Sequence, residues 1–360
     1  MRIFSFLPAL LLLIIISCHS PEKQPDNWQM TGFVKADDHN PVLNPDTTTW
    51  FVDPIRQDTV KWEGKDVFNP ASVVRNDTLF LLYRAEDFVG KYNGTSRIGL
   101  AYSLDGLNFT RLKKPVFYPE EDQWKVLEWE GGAEDPRIVE DENGRYIMTY
   151  TAYDGDKARL LVATSNNLKD WQKYGSVFSD SLDINQWTKS GAIMTRQHGE
   201  KLIAEKLNGK YWMYFGDTDL FIATSDDLVK WEPMKDEEGN WLKVLSPRAG
   251  KFDSDLVEPG PPAMVTDQGI LLIYNSKNKK EIGDQNLANG TYAAGQALFD
   301  IKNPTRIVAR SDHYFFAPDK PYEITGQVNN VCFLEGLSQY KGKWFLYYGT
   351  ADSKIAVAIR

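Results

Sequence analysis

The 360-residue chain contains few cysteine and histidine residues, and this scarcity argues against several kinds of chemistry. There are two cysteines, Cys18 and Cys332, and four histidines, two of which lie within the first 40 residues. The G-x-S-x-G, H-E-x-x-H and phosphate-cradling glycine motifs do not occur in the sequence. Serine hydrolase, zinc peptidase and P-loop chemistry are therefore disfavoured, and we expect neither a metal ion nor another cofactor.

Positive charge is also in short supply. The chain has 41 Lys and Arg residues against 50 Asp and Glu residues, which gives a formal charge of −9 without any dense basic stretch. Nucleic-acid binding depends on such basic patches, so we expect no nucleic-acid partner.

With 42% apolar residues the chain is too hydrophobic for a disordered protein, and we expect a large buried core.

The only long apolar run, Leu7 to Ile16, follows Arg2 and is too short to cross a bilayer, which requires about 20 residues. We predict that residues 1–17 form a signal peptide. The sequence Ile15-Ile16-Ser17-Cys18 is similar to a bacterial lipobox, which predicts a lipidated Cys18; a plain secretory signal is the alternative. Either reading implies export, and the first predicts a membrane-anchored protein of the bacterial cell envelope, in the periplasm or on the outer surface. Residues 18–49 are expected to be a tether.

A repeated pattern begins after residue 60, with two short apolar strands around a turn and a tyrosine at the end of the second strand. The separations between these tyrosines are 67, 64, 60 and 74 residues, and the residues are Tyr83, Tyr150, Tyr214, Tyr274 and Tyr348. Five such β-rich units favour an all-β, five-bladed β-propeller over residues 50–360, rather than a β-sandwich. We expect a strand between Trp50 and Trp62 to complete the last blade.

Polar residues stand where the first strand of each unit begins, at Asn69, Asp135, Lys189, Glu258 and Asn329. Each alone is an ordinary turn residue. The inner strands of a propeller line a shared cavity, however, and acids gathered in such a space are suited to acid–base chemistry. We expect aromatic side chains to border this cavity, as is typical of sugar sites, namely Tyr83, Trp129, Tyr150, Tyr153, Trp212 and Tyr274. The pattern favours cleavage of glycosidic bonds.

Residues 62–360 resemble glycoside hydrolase family 130, the mannoside phosphorylases and β-1,2-mannosidases, which are five-bladed propellers. The resemblance rests on six ordered segments: Phe68-Asn69-Pro70-Ala71, Tyr83-Arg84-Ala85, Ser96-Arg97-Ile98-Gly99-Leu100-Ala101, Gly132-Ala133-Glu134-Asp135-Pro136-Arg137, Gly209-Lys210-Tyr211-Trp212-Met213-Tyr214 and Tyr348-Gly349-Thr350-Ala351-Asp352. It implies a mannose-containing oligosaccharide as substrate.

The resemblance also implies roles for individual residues. Asp135 would be the proton donor, acting in the phosphorylases through a hydroxyl of the bound mannose. Asn69, Arg84, Arg97 and Asp352 would hold that mannose. Salt bridges between blades are an equally good reading of Arg84 and Arg97, and Asp352 could cap a turn.

The second reactant decides between hydrolysis and phosphorolysis. Where the family's phosphorylases typically place a basic pair, this chain has Gly216-Asp217, and Glu258 stands near Asp253 and Asp255. Because such acids repel phosphate, we expect an exported, inverting β-mannosidase, with β-1,2 as the expected linkage. Asp135 would donate the proton, and Glu258, assisted or replaced by Asp217, would activate water across a gap of about 6.5–9.5 Å.

Two further residues and two further functions stay open. Glu205 is a third candidate acid or a salt-bridged strand residue. Lys189 could bind phosphate, hold a substrate hydroxyl or neutralise the acids. The alternative functions are a mannoside phosphorylase, whose sugar phosphate product would be lost outside the cytoplasm, and a glycan-binding propeller without catalysis.

Overall fold

The computed structural model describes residues 27–360, so the predicted signal peptide and Cys18 lie outside the described residues. The chain begins with the short strand β1 (Val34–Lys35) and continues into a hairpin of β2 (Phe51–Asp53) and β3 (Asp58–Val60). Within residues 27–360, none of the helices is long and apolar enough to span a bilayer.

Five antiparallel blades follow, and short helices lie between blades 1 and 2, blades 2 and 3, and blades 4 and 5. Blade 1 contains β4 (Asp66–Arg75), β5 (Thr78–Glu86), β6 (Ser96–Ser103) and β7 (Thr110–Arg111). After α1 (Lys125–Glu128), blade 2 contains β8 (Gly132–Glu140), β9 (Tyr146–Tyr153), β10 (Ala158–Ser165) and β11 (Gln172–Ser176). After α2 (Ser181–Ile184), blade 3 contains β12 (Ala192–His198), β13 (Lys201–Ala204), β14 (Tyr211–Phe215), β15 (Leu220–Ser225), β16 (Trp231–Pro233) and β17 (Lys243–Leu245).

Blade 4 contains β18 (Leu256–Pro259), β19 (Ala263–Thr266), β20 (Gly269–Lys277), β21 (Tyr292–Phe299) and β22 (Ile307–Arg310). After α3 (Pro321–Ile324), blade 5 contains β23 (Cys332–Tyr340), β24 (Lys343–Thr350) and β25 (Lys354–Ile359). Parallel contacts join the blades around a central channel, for example between β12 and β19 and between β13 and β8. The predicted five-bladed propeller is confirmed.

Strand β1 closes the ring, because Val34 and Lys35 pair with Ile359 and Ala358 of β25. The prediction that the closing strand lies between Trp50 and Trp62 was wrong, since that segment forms the β2–β3 hairpin. The predicted tether is also too long, because Leu43 is buried and bridges to Ile355. A closing strand of two residues leaves too short a pattern to be recognised in the sequence.

The five periodic tyrosines all lie in the second full-length strand of their blade and are fully buried. Four of them donate their hydroxyl proton to a carboxylate at 2.7–2.8 Å, in the pairs Tyr83–Glu63, Tyr150–Glu128, Tyr274–Asp253 and Tyr348–Glu323. The hydroxyl of Tyr214 instead donates to the carbonyl of Pro304. The period therefore reflects a repeated core contact, and the expectation that Tyr83, Tyr150 and Tyr274 border a sugar site is corrected.

Candidate active site

The inner strands of blades 1, 2 and 5 are each interrupted by a β-bulge at the end where the polar residues gather. The register shifts between Phe68 and Pro70, between Glu134 and Arg137, and between Leu334 and Gly336. Asn69 and Asp135 occupy two of the bulges with φ values of 47° and 48°. A bulge changes the direction in which a side chain points, so these irregularities place polar groups in the channel. Residue Ser190 in blade 3 has a similar φ of 58°.

Asp135, in blade 2, is surrounded by donors from blades 1 and 3. The side-chain amide of Asn69 donates to Asp135 Oδ1 at 2.9 Å, and Arg84 Nη1 lies 3.3 Å from the same oxygen. On the other side, Lys189 Nζ lies 3.7 Å from Asp135 Oδ2. The ring thus brings Asn69, Arg84, Asp135 and Lys189 together, although up to 120 residues of sequence separate them.

Arg84 is shared among several carboxylates. Its Nη2 lies 2.8 Å from Glu86 and 2.9 Å from Glu134, in addition to the contact with Asp135. Asp352 is near enough to affect the charge of Arg84 electrostatically. Arg84 therefore makes the salt bridges that were the alternative reading, but it makes them inside the cavity. We call the group formed by Asn69, Arg84, Glu134 and Asp135 the Asp135 side.

Glu258 lies among fewer donors. The hydroxyl of Ser190 donates to Glu258 Oε1, and the charge of Lys189 acts on it electrostatically. Asp217 is half-buried nearby and accepts a hydrogen bond from the indole nitrogen of Trp187 at 2.7 Å. We call Ser190, Asp217 and Glu258 the Glu258 side; Lys189 lies between the two sides.

Two residues below the cavity were missed by the sequence reasoning. Arg137 donates to three backbone carbonyl oxygens. Its Nη2 donates to that of Pro259 at 2.7 Å, its Nε to that of Gly260 at 2.9 Å and its Nη1 to that of Asp135 at 3.3 Å. Blade 3 lies between blades 2 and 4, so this guanidinium spans the channel and connects the backbones that carry Asp135 and Glu258. The available signal was an arginine between the acids and the apolar end of the buried strand β8.

The second missed residue is Glu335, which is fully buried at the bulge of blade 5. Arg137 Nη1 lies 3.4 Å from Glu335 Oε1, but neither carboxylate oxygen has a hydrogen-bond partner among the described residues. Burial raises the pKa of Glu335 well above its ordinary value, and Arg137 only partly opposes this shift. The sequence pattern pointed instead to Asn329, which lies in an exposed turn and accepts a hydrogen bond from the backbone of Gly326.

The pKa values of Asp135 and Glu258 move in opposite directions. Burial would raise the pKa of Asp135, but Arg84, Lys189 and the Asn69 hydrogen bond outweigh burial and hold it at about 2. Burial raises the pKa of the neighbouring Glu134 to about 7, with the charge of Asp135 adding to the shift and Arg84 opposing it. Burial also raises the pKa of Glu258. Glu134 and Asp135 repel each other and therefore retain one proton between them up to near-neutral pH.

Two of the predicted substrate-binding residues lie away from the cavity. Arg97 is fully buried and binds Asp53 and Asp87 through ion pairs of 2.5 and 2.7 Å, so it braces blade 1 instead of holding sugar. Glu205 pairs with Arg196 on the neighbouring strand, and its role as a third acid is likewise corrected. In both cases the charge is already used by a local ion pair.

The acids near Glu258 in the sequence are also engaged elsewhere. Asp253 is buried and contacts Arg248 and Arg310, and Asp255 pairs with Lys277. Their proximity in sequence therefore does not place them in the cavity. Among the remaining expected aromatic residues, Trp212 packs into the core, Trp129 lies against Arg56, and Tyr153 stands beside Trp187.

This geometry can be compared with known proteins. A family model described as β-1,4-mannooligosaccharide phosphorylase, glycoside hydrolase family 130, matches residues 34–360. The chain belongs to glycoside hydrolase family 130. It is therefore an enzyme that acts on β-mannosides, and the match includes the strand β1 that closes the ring.

Two phosphorylases of one organism are similar to this chain over most of their length. The chain is 34% identical to a 1,2-β-oligomannan phosphorylase of Thermoanaerobacter sp. (strain X514), over 83% of this chain and 91% of the relative. It is 32% identical to a β-1,2-mannobiose phosphorylase of the same organism, over 85% and 93% of the two chains. Both relatives are named as phosphorylases. Phosphorolysis is the alternative activity that the amino-acid sequence left open.

A solved structure from work showing that the GH130 family of mannoside phosphorylases contains glycoside hydrolases that target β-1,2 mannosidic linkages in Candida mannan is 47% identical, with a TM-score of 0.90. The alignment covers 94% of this chain and 96% of that one. A putative glycosidase of Bacteroides thetaiotaomicron is 48% identical, with a TM-score of 0.90 and coverage of 94% and 99%. The family-130 fold is thus shared by phosphorylases and hydrolases.

Proposed function

We propose that this family-130 enzyme hydrolyses β-1,2-mannosidic bonds with inversion of configuration. The observation that carries this proposal is that the cations of the cavity are already engaged by carboxylates. Arg84 is bound by Glu86, Glu134 and Asp135, and Lys189 lies between Asp135 and Glu258.

A phosphate dianion needs several available donors, which arginine and lysine supply best when they are not neutralised. Arg137 is committed to backbone carbonyls and to Glu335, and Lys65 pairs with Glu86 farther out. Because these cations are engaged, an inorganic anion finds few available donors in the cavity, and water is left as the second reactant. Similarity to the hydrolases that target Candida mannan supports the same proposal.

The two sides of the cavity divide the reaction between them. A water molecule loses a proton to Glu258 and forms a bond to the anomeric carbon of the mannose. The bond to the leaving oxygen breaks, and that oxygen receives a proton from Asp135, passed through a hydroxyl of the same mannose. The Glu134–Asp135 pair supplies this proton because it retains one proton between its two carboxyl groups.

The remaining residues position the sugar. Asn69 and Arg84 border Asp135 and offer donors to the hydroxyls of the mannose that is released, and Asp352 offers an acceptor near Arg84. Lys189 compensates the charges of Asp135 and Glu258, and both carboxylates in turn raise its pKa against the effect of burial. It therefore stays protonated throughout the reaction.

Phosphorolysis is the second candidate, and the names of the curated relatives favour it. It would require phosphate to displace Asp135 or Glu258 from Lys189 and Arg84. The two functions differ in their products, so product identity decides between them.

The deciding experiment is to incubate the protein with β-1,2-mannobiose in the presence and absence of inorganic phosphate. We expect free mannose in both buffers, at equal rates, released first as the α-anomer in a proton NMR time course. The formation of mannose 1-phosphate would establish phosphorolysis instead. The absence of any product, with binding retained, would favour a glycan-binding propeller. β-1,4-Mannobiose serves as the matched control for linkage.

We also propose that the enzyme is exported and anchored by lipid at Cys18, as the N-terminal sequence predicts. Metabolic labelling with a radioactive fatty acid tests this, since the wild-type protein should take up label and Cys18→Ala should not. Release of an unlabelled, shortened wild-type protein would indicate a plain secretory signal.

A further inference from the structure

Three aromatic side chains stand in a row at the edge of the cavity. Tyr92 lies in the loop between β5 and β6, Tyr153 ends β9, and Trp187 precedes β12. The ring centroids of Tyr92 and Tyr153 are 6.0 Å apart, and those of Tyr153 and Trp187 are 6.5 Å apart. Trp187 is 50% exposed and Tyr92 is 36% exposed, so the row presents aromatic surface to solvent. We call these three residues the aromatic wall.

The wall is continuous with the catalytic residues. Trp187 is held at one end by its hydrogen bond to Asp217 on the Glu258 side. Tyr153 pairs with Gly132 at the start of β8, three residues before Asp135, and its hydroxyl lies within the electrostatic reach of Glu134. The wall therefore runs from blade 1 across blade 2 to blade 3 and borders both sides of the cavity.

Glycine residues allow two of the rings to lie directly against the backbone. A Cβ atom added at Gly155 would lie 2.2 Å from the ring of Tyr92, and one added at Gly131 would lie 2.3 Å from the ring of Tyr153. Any larger residue at these positions would displace the rings. The wall is consequently a built surface with defined ring positions, and not a group of aromatic side chains on a mobile loop.

The rest of the cavity border is different in character. Asn69, Arg84 and Asp352 on blades 1 and 5 are polar and compact, which suits the hydroxyls of a single enclosed mannose. Aromatic faces instead pack against the C–H surfaces of a pyranose and tolerate several sugar orientations. The polar border fits the mannose that is released. The aromatic border fits the leaving group to which that mannose is bonded.

We propose that Tyr92, Tyr153 and Trp187 bind the sugar units on the leaving-group side of the scissile bond, which makes the enzyme selective for mannooligosaccharides over mannosides with small leaving groups. This inference deepens the proposed function and rests on it. The wall contributes binding energy through stacking, and this energy is available only to substrates whose leaving group is itself a sugar.

The test compares two substrates, β-1,2-mannotriose and β-mannosyl fluoride, whose leaving group is a single atom. Tyr92→Ala and Trp187→Ala should each raise KM for the trisaccharide roughly tenfold, the effect of losing one stacked ring. KM for the fluoride should stay within about twofold. Equal losses on both substrates, or no change on the trisaccharide, would overturn the inference.

Trp187 also touches Asp217, so its stacking must be separated from its hydrogen bond. Trp187→Phe retains a ring and loses the donor, and it should keep most of the affinity for the trisaccharide. Trp50→Ala is the matched control, because Trp50 is 53% exposed and packs beneath Lys61. It should leave KM for both substrates unchanged.

A binding measurement keeps this inference separate from the proposed function. In an Asp135→Asn background that does not turn over substrate, calorimetry with β-1,2-mannotriose should show a roughly tenfold weaker Kd when Trp187→Ala is added. An unchanged Kd would overturn the aromatic wall even if the enzyme is a hydrolase. If the wild-type enzyme releases no mannose but the Kd still weakens, the wall stands and the proposed hydrolysis fails.

Discussion

The Asp135 side and the Glu258 side of the cavity are almost equally buried, yet they differ in charge. Asp135 is 2% exposed and Glu258 is 4% exposed. Burial would raise both pKa values. At Asp135 the effects of Arg84, Lys189 and Asn69 outweigh burial, and the pKa falls. At Glu258 the effects of Lys189, Arg137 and the Ser190 hydroxyl do not outweigh burial, and the pKa rises. The comparison teaches that the supply of donors, and not burial alone, decides the charge of a carboxyl group in this cavity.

The difference also bears on the direction of proton flow. The Asp135 side keeps its proton on a pair of adjacent carboxyl groups, while Glu258 has a pKa moved upward, toward the range in which it accepts a proton from water. Arg137 connects the two sides through backbone carbonyls, so their separation is set below the cavity.

The largest expected effect comes from removing either carboxyl group. Asp135→Asn and Glu258→Gln should each lower kcat by about 10²- to 10⁴-fold, because each removes a proton transfer from the transition state. The measurement is initial mannose release from β-1,2-mannobiose, with circular dichroism and thermal melting as controls for folding. If Glu258→Gln remains fully active, Glu258 is not the base.

The second largest effect on kcat is expected from Arg137, which connects the Asp135 side to the Glu258 side. Arg137→Met should lower kcat about 10²-fold with a smaller change in KM, because loss of the guanidinium lets Asp135 and Glu258 shift relative to each other. Arg137→Lys, which retains a donor to the carbonyls, should recover part of the activity.

Arg97→Met is the matched control, since Arg97 is equally buried but lies outside the cavity. It leaves Asp53 and Asp87 without their partner and should cost about 3–5 kcal/mol of unfolding free energy, measured by urea denaturation. At a temperature where it is folded, its kcat should match the wild type. An equal loss of kcat in both variants would remove the positioning role of Arg137.

A medium effect is expected from pH. The pKa of Glu134 is raised to about 7, so kcat should fall as pH rises through about 7 and the Glu134–Asp135 pair loses its proton. Glu134→Gln should move this descending limb to lower pH, because the remaining carboxyl group, Asp135, has a pKa held low by Arg84, Lys189 and Asn69. A descending limb that stays in place in Glu134→Gln would show that another group carries the proton.

The same shift affects stability. The folded state binds the Glu134 proton more tightly than the unfolded state, whose reference pKa is 4.5. Its contribution to the free energy of unfolding is therefore present below about pH 4.5 and is lost as pH rises toward about 7. Urea denaturation at several pH values should show a smaller loss over this interval in Glu134→Gln than in the wild type.

The smallest effect is expected at Asp217. If Glu258 is the base, Asp217→Asn should change kcat only about fivefold, the effect of weakening one hydrogen bond with Trp187. A loss as large as that of Glu258→Gln would identify Asp217 as the group that activates water.

The repeating core was the part of this protein most accessible from sequence. The five tyrosines recur at intervals of 60–74 residues because each blade buries one tyrosine with its hydroxyl hydrogen-bonded, to a carboxylate in four blades and to a carbonyl in blade 3, and this regularity led to the propeller. The assembly of Asn69, Asp135 and Lys189 also followed, because inner strands converge on one channel, and the resemblance to family 130 added Arg84. Arg97 was misplaced, since an arginine in a strand has the same sequence signature whether it faces a cavity or a buried ion pair.

The amino-acid sequence by itself determined the all-β composition, the fivefold repeat and the set of Asp and Glu residues available for catalysis, because these depend on residue types and their spacing along the chain. Only the tertiary structure decided that the two-residue strand β1 closes the ring, that Arg137 and Glu335 lie beneath the cavity and that Glu205 lies outside it. Bulges and ring closure set the direction of each side chain, and these arise from contacts between blades that no local stretch of sequence contains.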